Sequence, residues 1–377
     1  MRSDIRRAFF VFLGTMGAGL VLIIAIVGSI WSYPNRAAGA AKGTVSIEIP
    51  RGVTAQGVAT LLEDAQLIKN PLFFRLYTVQ RGSASRIRPG RYQVQAPISP
   101  KALVDQLVRG VADKLVLVTL PPGKNFVEYG EILEAAGITK KSDFIAQAVN
   151  STFIRSLDVA GPSLEGYLFP DTYRFRPKSG AAEVAEILVR RHQAVFSEIM
   201  KAHPEGVERL RRQLGFEDRH IVTLASIVEK ETGRPEERPR IAQLYLNRLI
   251  KPDFTPRLLQ ADPTIIYGCT VAPLALGRAS EACQKFKNNN IQTIHLKDAD
   301  NEYNTYQNEG LPPGPIANPG RSALSAVLKP DGSPYLYFVA FSDGSGSHYF
   351  STTLAEHEAA VVKYQRGGRA MPKRASR

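Results

Sequence analysis

A chain of 377 residues exceeds the usual size of one domain, and its 48 Lys and Arg against 35 Asp and Glu give a formal net charge of +13. That excess raises a nucleic-acid partner, but the basic residues are scattered and no zinc-finger spacing or recognition motif accompanies them, so no nucleic acid is expected. An anionic membrane leaflet or an anionic cell-wall polymer suits such a surface better.

The first segment, AFFVFLGTMGAGLVLIIAIVGSIWSY, carries no charge from Ala8 to Asn35, which is enough to cross a hydrocarbon layer about 30 Å thick. Trp31 and Tyr33 stand where an interfacial aromatic belt would. A cleaved signal peptide is the competing reading, but the apolar core is long for one and no A-x-A site follows it closely. A retained transmembrane anchor over 8–33 is expected, after a cytoplasmic N-terminus (1–7) in which Arg2, Arg6 and Arg7 outnumber Asp4. The rest of the chain then lies on the far side of the membrane.

A short linker (34–44) leads to a first soluble unit at 45–113. Its opening, VSIEIPRGVTAQGVATLLEDAQLI from Val45, is echoed from Val116 by VLVTLPPGKNFVEYGEILEAAGI. Each copy alternates like a strand, turns at Pro-x-Gly and continues into an amphipathic helix. Between them RIRPGRYQVQ predicts a turn and strand, and SPKALVDQLVRG a capped helix ending at Gly110. Small units of this kind resemble LysM-like glycan-binding modules, although a plain structural module explains the echo equally well. The second copy opens a strand-turn-helix unit at 114–160, leading to a larger domain at 161–364 and a basic tail at 365–377 of disorder-prone composition.

The larger domain begins with GPSLEGYLFPDTYRF, rich in turn residues and aromatics, and continues as an amphipathic helical stretch from Ala181 to about Leu214. LASIVEKETG and PRIAQLYLNRL predict two more helices. LLQADPTIIYG, a cysteine-bounded loop and YNTYQNEGLPPGPIANPG follow, then a short helix SALSAVLK and two strands, YLYFVAF and SHYFST, joined by SDGSG. The fold class expected is α+β, with the irregular aromatic and proline-rich segments building a cleft.

In LASIVEKETG the carboxylates of Glu229 and Glu231 lie two positions apart, roughly 200° around a helix, and so cannot share a face. Glu229 falls with Val222, Ala225 and Ser226, a strip of mostly small residues. Glu231 falls with the apolar Leu224, Ile227 and Val228. Periodicity leaves either acid open as the reactive one, or both as solvated acids at a helix end.

The segments LEGYLFPDTY, LASIVEKETG, LQADPTIIYG, YNTY, GLPPGPIANPG and SHYFSTTLAEHE, in this order behind one anchor, resemble the MltG or YceG-like endolytic murein transglycosylases from about Val45 to Val362. The resemblance implies a membrane-anchored lytic transglycosylase of the bacterial inner membrane, its catalytic domain periplasmic. Such an enzyme cuts the bond between N-acetylmuramic acid and N-acetylglucosamine in peptidoglycan glycan strands and leaves a 1,6-anhydro end. It also implies synthases of the elongation or division machinery as partners, and a role in ending strand growth. It places the catalytic glutamate on the first acid of the Val-Glu-Lys-Glu-Thr motif, Glu229. A single acid suffices, because the substrate's own C6 hydroxyl is the nucleophile, and burial is expected to raise its pKa.

Among the other motif residues, Gln260, Asn304 and Tyr306 are expected to hydrogen-bond sugar hydroxyls and N-acetyl groups, and Tyr303 or Tyr306 to stack on a sugar face. Asp262, before Pro263, is a binder or a carboxylate that only bonds the backbone of a turn. Glu165 orients Glu229 or locks a loop. Gly310, Leu311, Pro312 and Pro313 wall the cleft, and Asn318 and Pro319 brace it. Two other readings stand beside this one: a hydrolytic muramidase using Glu229 with Asp262, and a non-catalytic peptidoglycan-binding scaffold.

The two cysteines, Cys269 and Cys283, bound the loop GCTVAPLALGRASEAC, which has no counterpart in the family pattern. In an oxidising compartment a disulfide is expected, with two buried thiols as the alternative. The six histidines show no metal-ligand spacing, so neither metal nor cofactor is expected, and His192, among apolar residues at helical intervals, is expected to be a satisfied core residue.

Overall fold

The computed structural model describes residues 28, 31–37, 39–110 and 115–365. The anchor expected over 8–33 lies, apart from residues 28 and 31–33, outside them, as does the tail after Gln365. Among the described residues no helix is long and apolar enough to cross a membrane. The fold is α+β, and the chain divides into two compact units, Met1–Asp113 and Lys114–Arg377.

The first unit runs β1 (Gly43–Ile49), α1 (Ala55–Asp64), α2 (Pro71–Gln80), β2 (Gly90–Ala96) and α3 (Pro100–Arg109). The strands pair antiparallel, Val45 opposite Val94 and Ile47 opposite Tyr92. Their inward side chains and those of the helices form one core: Ile49, Leu62, Phe74, Tyr92, Val94, Leu103 and Leu107. The side chains of Thr54, Asn70 and Ser99 each accept a backbone N–H from the first turn of the helix that follows.

The second unit repeats the opening of the first. β3 (Val116–Thr119) is followed by α4 (Phe126–Ala135), as β1 is by α1, and the glycines of the two Pro-x-Gly turns, Gly52 and Gly123, have φ of +77° and +78°. The segment 114–160 does not stand apart, because β3 pairs antiparallel with β4 (Thr172–Phe175) and α5 (Lys141–Ala148) and α6 (Ser151–Ser156) lie between them in sequence. Its Phe126, Leu133 and Phe144 share one core with residues as distant as Leu324.

The expected helical stretch from Ala181 is two helices, α7 (Ala181–Ala202) and α8 (Pro204–Leu214). Pro204 offers no N–H to continue the first helix and suits the first turn of the second. Then come α9 (Asp218–Glu231), α10 (Arg238–Ile250), α11 (Asp262–Thr270), three short helices α12 (Ala272–Leu276), α13 (Glu281–Gln284) and α14 (Thr293–Leu296), and α15 (Arg321–Leu328). The hairpin of β5 (Tyr337–Ala340) and β6 (His348–Ser351) precedes α16 (Leu354–Tyr364). α9 lies deep in this unit, with every residue from Ile221 to Glu229 buried. Cys269 and Cys283 are disulfide-bonded, with an S–S distance of 2.00 Å. His192 is buried, but its Nδ1 has no hydrogen-bond partner, so it is a core residue without being a satisfied one.

Candidate active site

The last turn of α9 sends its two carboxylates into opposite surroundings. Glu229 turns inward, its side chain 3% exposed. Arg238, the first residue of α10, donates from Nη2 to Oε1 at 2.6 Å, and the Gly320 N–H donates to Oε2 at 3.0 Å. Both oxygens are therefore engaged as acceptors. A side chain at position 320 would bring a Cβ within 3.5 Å of Oε2 and 3.3 Å of Pro122, so glycine lets this backbone approach. Lys230 donates to the Gly123 carbonyl at 3.2 Å, and the Gly123 N–H to the Asn318 carbonyl at 3.0 Å. Glu229 ties α9 to α10 and to the segment before α15.

Glu231, on the other side, lines a cavity of about 530 Å³ together with Arg248, Gln260, Asp262, Tyr306, His348 and His357. Its Oε1 is buried without a hydrogen-bond partner. Burial pushes the carboxyl up to about 7, and the Asp262 charge adds to that, while a hydrogen bond from Tyr245 and the charge of Arg248 act the other way. A proton carrier that titrates near neutrality in an open cavity is what general acid–base chemistry needs. The expected apolar face of Glu231, with Leu224, Ile227 and Val228, was the signal in the sequence. Of the two acids, Glu231 is the one that lines a cavity, and Glu229 is bonded into the scaffold through both oxygens.

Three expected binders meet in this same cavity. Gln260 has a left-handed backbone, φ +53°, with its N–H held by the Thr305 carbonyl at 3.0 Å. Such a conformation in a side-chain-bearing residue is strained and is concentrated at functional sites. Asp262, exposed at the start of α11, accepts from the Tyr306 hydroxyl at 2.6 Å, a side-chain partner where a backbone one was the alternative.

Asn304 does not join them. It is fully buried, and its amide donates to the carbonyls of His295 (3.0 Å) and Asp298 (2.7 Å) while its Oδ1 accepts from the Tyr306 N–H (3.0 Å). No hydrogen is left for a sugar, and the residue instead shapes the loop that presents Tyr306. Tyr303, 3% exposed, packs its ring 5.0 Å from that of Tyr267 and, with Glu165, Leu311 and Pro312, lines a different cavity of about 440 Å³.

Glu165 is buried and is not hydrogen-bonded to Glu229. It accepts from Asn318 Nδ2 at 2.8 Å and from the Phe126 N–H at 3.2 Å. Burial pushes its carboxyl up to about 8, against the pull of the Phe126 N–H and Tyr267. Asn318, fully buried, also accepts from the N–H groups of Gly166 (2.9 Å) and Leu168 (3.0 Å) and donates to the Lys124 carbonyl (3.0 Å). These two residues lock loops and do not face the Glu231 cavity.

Two histidines of SHYFSTTLAEHE, unassigned in the sequence, do face it. His348 is held by Glu237 through Nδ1 at 2.7 Å and through its backbone N–H at 3.0 Å. His357 stacks on Tyr337 at 5.4 Å between ring centroids, and burial lowers its pKa below the usual value. Among the described residues no cluster could hold a metal ion.

The model of the YceG-like family matches residues 47–363. The chain belongs to the YceG-like family. An endolytic murein transglycosylase of Bacillus subtilis is 30% identical over 343 residues, 86% of this chain and 85% of that protein. One of Streptococcus pneumoniae is 28% identical over 86% of this chain, which spans 59% of that longer relative. Among solved structures, a YceG-like protein of Listeria monocytogenes superposes with a TM-score of 0.51 at 28% identity, over 85% of this chain and all of that one. The YceG-like region thus reaches into both units and covers every residue of the Glu231 cavity except Gln365.

Proposed function

We propose that this chain is an endolytic lytic transglycosylase that cleaves the bond between N-acetylmuramic acid and N-acetylglucosamine in peptidoglycan, with Glu231 as its single acid and base. Family membership and the named relatives support the reaction class. The observation that carries the assignment is the contrast within α9: Glu231 is poised near neutrality in a cavity, whereas Glu229 has a donor on each oxygen.

Protonated Glu231 gives its proton to the glycosidic oxygen as the bond to C1 breaks. The carboxylate then takes the proton of the C6 hydroxyl as that oxygen bonds to C1, which closes the 1,6-anhydro ring and returns the acid to its starting form. Gln260, Asp262 and Tyr306 orient the sugars. The uncharged run and its flanking arginines support an inner-membrane anchor with both units outside the cytoplasm, and the β-α-α-β order of the first unit supports a glycan-binding role there. Ending strand growth beside a peptidoglycan synthase is part of the same proposal.

The product decides the reaction. Purified sacculi or nascent strands digested by the enzyme should yield anhydro-muramic ends by mass spectrometry, and Glu231→Gln should yield none. Because Asp262 shares the cavity with Glu231, a hydrolytic pair is the second reading, and reducing ends would establish it. Full activity in Glu231→Gln, with loss in a folded Glu229→Gln, would return the assignment to Glu229.

A further inference from the structure

α2 has three faces. Phe74 and Thr78 enter the core of the first unit. Phe73 and Tyr77 meet Tyr33 edge-on, with ring centroids 5.7 and 6.5 Å apart. The third face carries Leu72, Leu76 and Val79, at helical spacing, exposed by 56%, 56% and 61%. A helix on a water-facing surface ordinarily places charge there. Beside this face Trp31 is 83% exposed, and Trp31, Tyr33, Pro34, Leu76 and Tyr77 line a cleft of about 520 Å³.

Trp31 and Tyr33 also stand near the end of the uncharged run from Ala8 to Asn35. The chain therefore enters its apolar segment at the point where α2 presents exposed apolar side chains, and Tyr33 is in ring contact with that helix. Arg36 and Lys69 are exposed in the same unit, close in sequence to Tyr33 and to the start of α2.

We propose that the Leu72, Leu76 and Val79 face of α2 docks on the lipid surface of an anionic bilayer, its apolar side chains seated at the boundary between headgroups and acyl chains. This inference rests on the anchored reading of the chain. Apolar burial in the interface and attraction of the flanking cations to anionic headgroups act together, as in interfacial amphipathic helices. Docking makes the first unit a second membrane contact beside the anchor.

The test uses the full chain reconstituted in vesicles of phosphatidylethanolamine and phosphatidylglycerol. Both native cysteines are disulfide-bonded, so an introduced thiol takes the label. An environment-sensitive fluorophore is placed at Leu76→Cys or, as a control, at the exposed Glu63→Cys on α1. Brominated acyl chains should quench the label at position 76 about twofold and leave that at 63 unchanged, as expected for a side chain at the interfacial boundary. Flotation of the same vesicles reports the anchor separately. Protein that fails to float overturns the anchored reading and this inference with it. Protein that floats with equal, water-exposed labels at both positions overturns the docking alone. So does a position 76 shielded from lipid and cross-linked to a second copy or to the chain's own N-terminal segment.

Discussion

A carboxyl pushed up to about 7 is an acid for catalysis only while it holds its proton, so cleavage should decline as pH rises through about 7. The same shift has a consequence for stability. Glu231 has a folded pKa above its unfolded value of 4.5, so its contribution is fully present below 4.5 and lost as pH rises through about 7. Glu231→Gln should therefore melt higher than wild type at pH 8, by up to about 3 kcal/mol of stability, and no higher at pH 4. Glu229→Gln should move the other way at neutral pH. It leaves Arg238 a buried charge without its counter-ion, which costs about 3–5 kcal/mol. Urea melts of the two variants at both pH values check the opposite signs. Gain of stability in both would remove the distinction between a strained acid and a structural one.

Helix periodicity separated the surroundings of Glu229 and Glu231 in advance, because the faces of a helix follow from spacing alone. It could not say which face opens on a cavity, since Arg238, Gly320, Gln260 and Tyr306 reach α9 from other elements. Asn304 and Asn318 were illegible for the same reason. An asparagine in a loop motif looks like a ligand for sugar until its partners are known, and for Asn318 one of them, Lys124, lies 194 positions away. The strands, caps and Pro-x-Gly turns were legible because each is specified within a few residues, and the break between α7 and α8 was in reach through Pro204. Close packing between α8 and α15 leaves no such local trace. Gly206, in the first turn of α8, would as alanine place its Cβ 2.0 Å from the Leu328 carbonyl oxygen. Glycine to alanine in a helix interior ordinarily stabilises by up to about 1 kcal/mol. Here the sign should reverse, and Gly206→Ala should lower stability by about 1–3 kcal/mol as the two helices are forced apart. An unchanged or raised urea midpoint would mean the helices yield without cost.

Each of the two units has its own core, and the disulfide belongs wholly to the second. The bridge spans 14 positions, and closing a loop of this length stabilises by about 3 kcal/mol in the chain-entropy model. The double Cys269→Ser, Cys283→Ser variant should melt earlier yet retain its cleavage product. Non-reduced, denatured wild type should take up no thiol label, and two free thiols would contradict the pairing. The duplicated turn supplies a different resource. Gly52 and Gly123 share a positive φ, within a degree of each other. Alanine would meet nothing within 4 Å at the first and only ordinary contact, 3.6 Å to Glu229 Cγ, at the second. Both alanine variants carry the same backbone strain, about 1–2 kcal/mol. The second turn is tied to α9 through Lys230 and the first has no such tie, so the molecule contains its own control experiment. Subtracting the loss at Gly52 from the loss at Gly123 leaves the rigidity that the Lys230 and Asn318 ties transmit to α9, measured within a single polypeptide in a single buffer.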